Sequence, residues 1–180
     1  PASLVTKSLV REVKTDDAGC FQSALNPGLT KIAVIERHKR TGKLGIGILE
    51  GYGLTGGAIA TTISHDSHNI VVAGDNDPDM LLAVRELADM GGGIVSVHGG
   101  AVRRLPLPIA GLMTSADPQA VNAVLHDMLV AARAELGIPE DVEPFMTLSF
   151  MALPVIPELK LTARGLFNVN TFSFVGVEAD

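Results

Sequence analysis

From Lys31 to Gly74 the chain repeats one pattern. KIAVIER, LGIGILEG, GAIATTIS and NIVVAG are short β-branched runs, each set off from the next by a glycine-containing or polar break. Side chains branched at Cβ pack well on a pleated surface and lose rotamer freedom in a helix, so these runs read as consecutive strands. The glycine alternation in GKLGIGILEGYGLTGG marks a strand with little side-chain bulk, where another part of the molecule can approach the backbone closely.

Two segments carry a complete helix grammar instead. In DPDMLLAVRELADMGGG the expected N-cap is Asp77, with Pro78 at the first helical position, Asp79 favouring the positive end and Gly91 as the stop. Its apolar positions Met80, Leu81, Val84, Leu87 and Ala88 recur at helical spacing and predict one buried face. ADPQAVNAVLHDMLVAARAELG repeats the pattern, with Asp117 as cap, Pro118 next, a stripe of Val121, Val124, Leu125, Met128, Leu129, Ala132 and Leu136, and Gly137 as the stop. Between these helices, GIVSVHGGAVRRLPL reads as a tight hairpin turning on Gly99 and Gly100. Pro154 and Pro157 in PFMTLSFMALPVIPELKLT argue for a bent, packed segment rather than a central strand or a long helix. The expected class is α+β: a layered, mostly antiparallel β-sheet structure of seven to nine strands with two principal amphipathic helices. Residues 1–30 read as an incoming strand, SLVTKSLVREV, and a long loop.

With 180 residues, 47% of them apolar and 19% charged, the chain can bury a core of its own and is not a disordered tail. A net charge of −6 without a basic face makes nucleic acid an unexpected partner. The single cysteine, Cys20, excludes an internal disulfide framework and any thiolate-rich zinc cluster, as expected of a cytoplasmic protein. No apolar run is long enough to span a membrane. The chain starts at Pro1 and its first methionine is Met80, which predicts either processing or one part of a longer polypeptide.

The segment with the densest chemistry is ATTISHDSHNIVVAGDNDPDM, where His65, Asp66, Ser67, His68 and Asn69 lie between two strand-like runs. Helical spacing cannot be invoked for the two histidines in a strand–turn–strand context. In a turn they could still converge on a cation, or one imidazole could be oriented by Asp66. The plain alternative is a polar turn in which Asp66, Ser67 and Asn69 satisfy backbone groups. Asp77 and Asp79 are accounted for by the helix start, and no calcium-loop alternation is present. His38, His98 and His126 read as solvated surface. Neither a phosphate-binding glycine fingerprint nor a G-x-S-x-G elbow occurs.

The long strings KIAVIERHKRTGKLGIGILEGYGLTGGAIATTISHDSHNIVVAGDNDPDMLLAVREL, LPLPIAGLM and PFMTLSFMALPVIPELKLTARGLFNV are similar to the C-terminal domain of bacterial adenine deaminase. This family of the amidohydrolase superfamily thereby accounts for residues 31–180. The resemblance implies a preceding (β/α)8 barrel and hydrolysis of adenine to hypoxanthine and ammonia in purine salvage. It also implies a divalent metal centre of manganese or iron, or zinc, that activates water in that barrel. No H-x-H pair and no H-x-E with P-C-x-x-C signature occurs here, so no metal ligand is assigned to this chain, which alone is expected to be inactive.

The resemblance further implies that the polar loop covers the barrel mouth. His65, Asp66 and His68 are then the catalytic candidates and Ser67 and Asn69 the substrate-binding candidates, with Glu36 and Arg37 interfacial. Adenine, the barrel of the same protein and further copies in a homo-oligomer are the implied partners. A structural or oligomerisation domain without catalytic contact is the alternative, and an independent metal hydrolase built on His65 and His68 a third reading.

Overall fold

The computed structural model describes residues 4–179. The four β-branched runs form β1 (Leu29–Ile35), β2 (Leu44–Glu50), β3 (Gly57–Thr61) and β4 (Ile70–Gly74), and the Gly-Gly hairpin forms β5 (Gly93–His98) and β6 (Ala101–Pro106). They assemble into one antiparallel sheet in the order β2-β1-β4-β3-β5-β6. Gly99 and Gly100 have φ of 54° and 80°, the left-handed pair that a two-residue hairpin turn requires. A second antiparallel sheet holds β7 (Leu159–Thr162), β8 (Gly165–Asn168) and β9 (Ser173–Val175).

Every residue of β3 and β4 is buried, because helices or the second sheet cover both faces of the main sheet. On one face α1 (Asp77–Asp89) seats Met80, Ala83 and Leu87 against Ala58, Ala60, Val72, Val95 and Val97. On the other face Met128 and Ala132 of α2 (Pro118–Ala134), Phe145 and Leu148 of α3 (Pro144–Phe150), and Leu161 of β7 pack with Ile32, Val34, Ile59, Val71 and Ala73. The class is the α+β arrangement expected, and no helix among the described residues is long and apolar enough to cross a membrane.

Four local expectations are corrected. The N-cap of α1 is Asn76 rather than Asp77: Asn76 Oδ1 accepts from the Asp79 backbone N–H at 2.9 Å, while Asp77 is drawn off to Lys31 Nζ at 2.5 Å. Leu81 and Ala88 do not join the buried face, because α1 covers only the β3–β4–β5 part of the sheet and its buried stripe is narrow. A third helix, α3, occupies the proline-flanked segment: Pro144 stands within its first turn, where the missing N–H costs nothing, and the Glu143 carboxylate accepts from the Met146 N–H. Finally, no regular strand forms between residues 4 and 28 among the described residues; of the run SLVTKSLVREV, Ser3 lies outside the described residues and residues 4–13 are an irregular arm. Thr6 ties it down by exchanging backbone hydrogen bonds with Pro157 and Glu158, and Lys160 Nζ donates to the Leu4 carbonyl at 2.8 Å.

The glycine alternation in β2 is explained by the second sheet. A Cβ on Gly45 would overlap the Thr162 carbonyl oxygen, and a Cβ on Gly47 would stand 3.5 Å from Leu166. Gly45→Ala is therefore expected to destabilise this chain by about 1–3 kcal/mol in urea unfolding, as overpacking does. Leu81→Ala, on the exposed side of α1, should stay within about 0.5 kcal/mol; equal effects would show that the two sheets do not meet at Gly45.

Candidate functional site

The loop between β3 and β4 leaves the sheet where both strands are buried along their whole length, and it concentrates polar side chains at that end of the sheet. Within residues 62–69, Thr62, Ser64 and Asn69 are buried, His65 and His68 half-buried, and Asp66 and Ser67 exposed. The two imidazoles stand side by side, ring centroids 5.9 Å apart and steeply inclined. His65 leans on Phe150 of α3 at 4.6 Å, and its backbone N–H donates to the Ser149 carbonyl at 3.1 Å. The helix that the prolines concealed is thus the floor under the loop.

The other wall comes from the end of β1. Antiparallel pairing aligns Ile35 with Ile70, and continuing that register brings residues 36–38 opposite 67–69. Arg37 Nε donates to the His68 carbonyl at 2.6 Å and His38 Nε2 lies 2.8 Å from the Ser67 carbonyl, while the Arg37 backbone N–H donates to Asn69 Oδ1 at 3.4 Å. His38, expected as solvated surface, is therefore partnered with the loop, although it stays exposed. Glu36 is occupied locally: its carboxylate accepts from the backbone N–H groups of His38, Lys39 and Thr41, which hold it down at about 2 against an ordinary 4.5.

His68 is the electrostatic focus. It has a left-handed φ of 49°, an uncommon conformation for a residue with a side chain, and its backbone N–H donates to the Ser64 carbonyl at 2.6 Å. Its Nδ1 and the hydroxyl of Ser64 are buried without a hydrogen-bond partner among the described residues. Burial, followed by the neighbouring His65 and the Arg37 guanidinium, pulls the His68 imidazole below its usual 6.5, against a smaller upward pull from Asp66. A neutral ring with a free nitrogen can accept or relay a proton.

The structure thus brings His65, Asp66, Ser67, His68 and Asn69 together on one loop, as their adjacency requires. It adds Arg37, His38 and Phe150, which sequence reading placed elsewhere. The signal available for Arg37 and His38 was the β1–β4 register, legible only once strand pairing is known. A metal is a poor fit to this chain: among the described residues no three His, Cys, Asp or Glu side chains converge as a ligand set.

Comparison with known proteins agrees with the sequence resemblance. A family model described as adenine deaminase C-terminal domain matches residues 3–173. An adenine deaminase of Nitratidesulfovibrio vulgaris is 60% identical over 178 residues, covering 98% of this chain and 31% of the relative. One from Clostridium acetobutylicum is 47% identical over 174 residues, covering 96% and 30%. One from Halalkalibacterium halodurans is 48% identical, covering 97% and 30%. The chain therefore spans about a third of the length of these curated relatives.

In an NMR titration of the histidine ring protons, His68 should titrate below 6.5. Because its folded value is depressed, its contribution to stability is present above the unfolded value, about 6.5, and is lost as pH falls from there through the folded value. An ordinary or raised midpoint for His68 would contradict the burial described.

Proposed function

The chain belongs to the adenine deaminase C-terminal domain family, and from that premise we propose that it forms the C-terminal part of a cytoplasmic enzyme that hydrolyses adenine to hypoxanthine and ammonia. In this reading residues 64–69 close over the mouth of a preceding (β/α)8 barrel. The reaction serves purine salvage, and the divalent metal that activates water, manganese or iron or zinc, is held by the barrel. Among the described residues no donor set fits a metal, and in this reading the chain contributes hydrogen bonding, proton handling and exclusion of water. The observation that carries this role is the half-buried His68, whose Nδ1 lacks a protein partner on a loop braced from both β1 and α3.

In such an arrangement His68, kept neutral by its surroundings, accepts or relays a proton. Asp66 and Ser67, both exposed, are free to meet the purine edge, whereas Asn69 is buried and serves the loop itself through its contact with the Arg37 backbone. His65, stacked on Phe150, sets the position of its neighbour.

A second reading, a structural or homo-oligomeric assembly domain, is favoured by a different surface. Leu44 and Ile46 of β2 are about half exposed on the α1 side of the sheet, beyond the β3–β4–β5 part that α1 covers.

Alanine at His65, Asp66 and His68 together in the full-length enzyme should lower kcat/KM for adenine by at least about tenfold, with the thermal midpoint and subunit count held close to the parent's. A loss within about threefold would remove the loop from catalysis. Dissociation on polar substitution of Leu44 and Ile46, with the loop variant unimpaired, would support the assembly reading. The 180-residue chain alone should not turn over adenine even with added Mn(II) or Fe(II); robust turnover would move the catalytic centre into it.

A further inference from the structure

Arg37 makes a bridge that the pairing of strands does not require. Beyond the end of β1 its side chain spans two loops: Nε donates to the His68 carbonyl and Nη2 to the Ala110 carbonyl, each at 2.6 Å. Ala110 and Gly111 are consecutive left-handed residues, with φ of 59° and 75°, which turn the 109–113 segment toward the guanidinium. The guanidinium lies over Gly111 so closely that a Cβ there would stand 2.7 Å from Nη2 and 3.0 Å from Cζ. That segment is itself anchored in the sheet. Thr62 Oγ1 donates to the Gly111 carbonyl at 2.6 Å and accepts from the Gly93 N–H at 2.8 Å, so the contacts run without a break from β5 through the turn and Arg37 to His68.

Among the described residues no carboxylate pairs with Arg37; its half-buried charge is spent on two carbonyls, one on Nε and one on Nη2, a fixed two-nitrogen spacing that the single nitrogen of a lysine ammonium does not reproduce. We propose that Arg37 is a positioning residue for adenine deamination by the full protein: it fixes the backbone of His68 against the 109–113 turn and so sets where the imidazole stands in the closed site. This inference rests on the reading that residues 64–69 face the catalytic centre.

A simple staple would affect folding alone, so the distinguishing readouts are kinetic. The titratable or charged groups around His68 are His65, Asp66, His38 and Arg37, while α3 faces the loop with Phe150 and Ser149 and brings no charge. Removing Arg37 removes one of the influences that hold the imidazole low, so the acid limb of a kcat–pH profile that depends on neutral His68 moves to higher pH.

The test compares R37A, R37K and H68A in the full-length protein by kcat, KM, pH profile and thermal midpoint. R37A should lower kcat by about tenfold or more with KM within about threefold, and shift the acid limb upward. R37K, which keeps the charge and loses the fork, should hold the acid limb at the parent's position yet stay at least about threefold down in kcat. Parental kcat and acid limb in R37A, with only a lower thermal midpoint, overturn the proposal. If R37A does not fold, R37K decides, and parental kcat in R37K overturns it. Loss in H68A with R37A and R37K unimpaired sinks the proposal and leaves the loop reading standing; parental activity in H68A as well shows that the loop reading has failed, and this one with it.

Discussion

The pairing of β3 with β4 governs the rest of the molecule. Both strands are buried along their whole length, so the sheet around them must be covered on two faces, by α1 on one side and by α2, α3 and β7 on the other. Burial on that scale fixes register, because a slip of one residue would exchange the two sets of apolar side chains. Fixed register in turn determines where residues 62–69 emerge and which part of β1 lies beside them. The precision of the candidate site is inherited from a core that contains none of its residues.

Electrostatics around that loop follow from its position. Glu36, next to Arg37 in the chain, is half-buried and committed to three backbone N–H groups of its own turn, so its carboxylate is held low and is taken up by local structure. Arg37 points the other way, into the loop, where burial and nearby charge act together on His68. Adjacent residues in ERHKR thus have opposite duties, set by which side of the β1 extension each side chain leaves. Lys160 shows the cost of burying a cation with no counter-ion among the described residues: burial draws it down to about 8, and its ammonium donates to the Leu4 carbonyl.

Much of the fold was legible in local sequence because its signals are local. The β-branched runs became β1 to β4, the Gly-Gly pair turned the β5–β6 hairpin, and Asp117 with Pro118 opened α2. What was illegible depended on partners distant in sequence. Leu81 satisfies helical periodicity yet is half exposed, because α1 packs on β3, β4 and β5 through the narrow stripe of Met80, Ala83 and Leu87. α3 hid behind its prolines, although Glu143 and Pro144 are a proper helix start, since the residues after Phe150 obscure where such a short helix ends. Within the site, the loop itself was conspicuous in sequence. Arg37 and His38 were not, because only the β1–β4 register sets them against residues thirty positions away.

The chemistry open to this domain is bounded by what its loop can and cannot gather. Two imidazoles 5.9 Å apart, with the nearby carboxylate of Asp66 exposed, do not make a metal-binding set, and the donors that would complete one are absent from the surrounding elements among the described residues. A single half-buried imidazole is another matter. Its Nδ1 is buried without a hydrogen-bond partner among the described residues, on a loop braced from β1 and from α3. That is the physical reason to look for the domain's role at His68 rather than at the more numerous carboxylates of residues 75–79, every one of which has a neighbour in the fold to account for it.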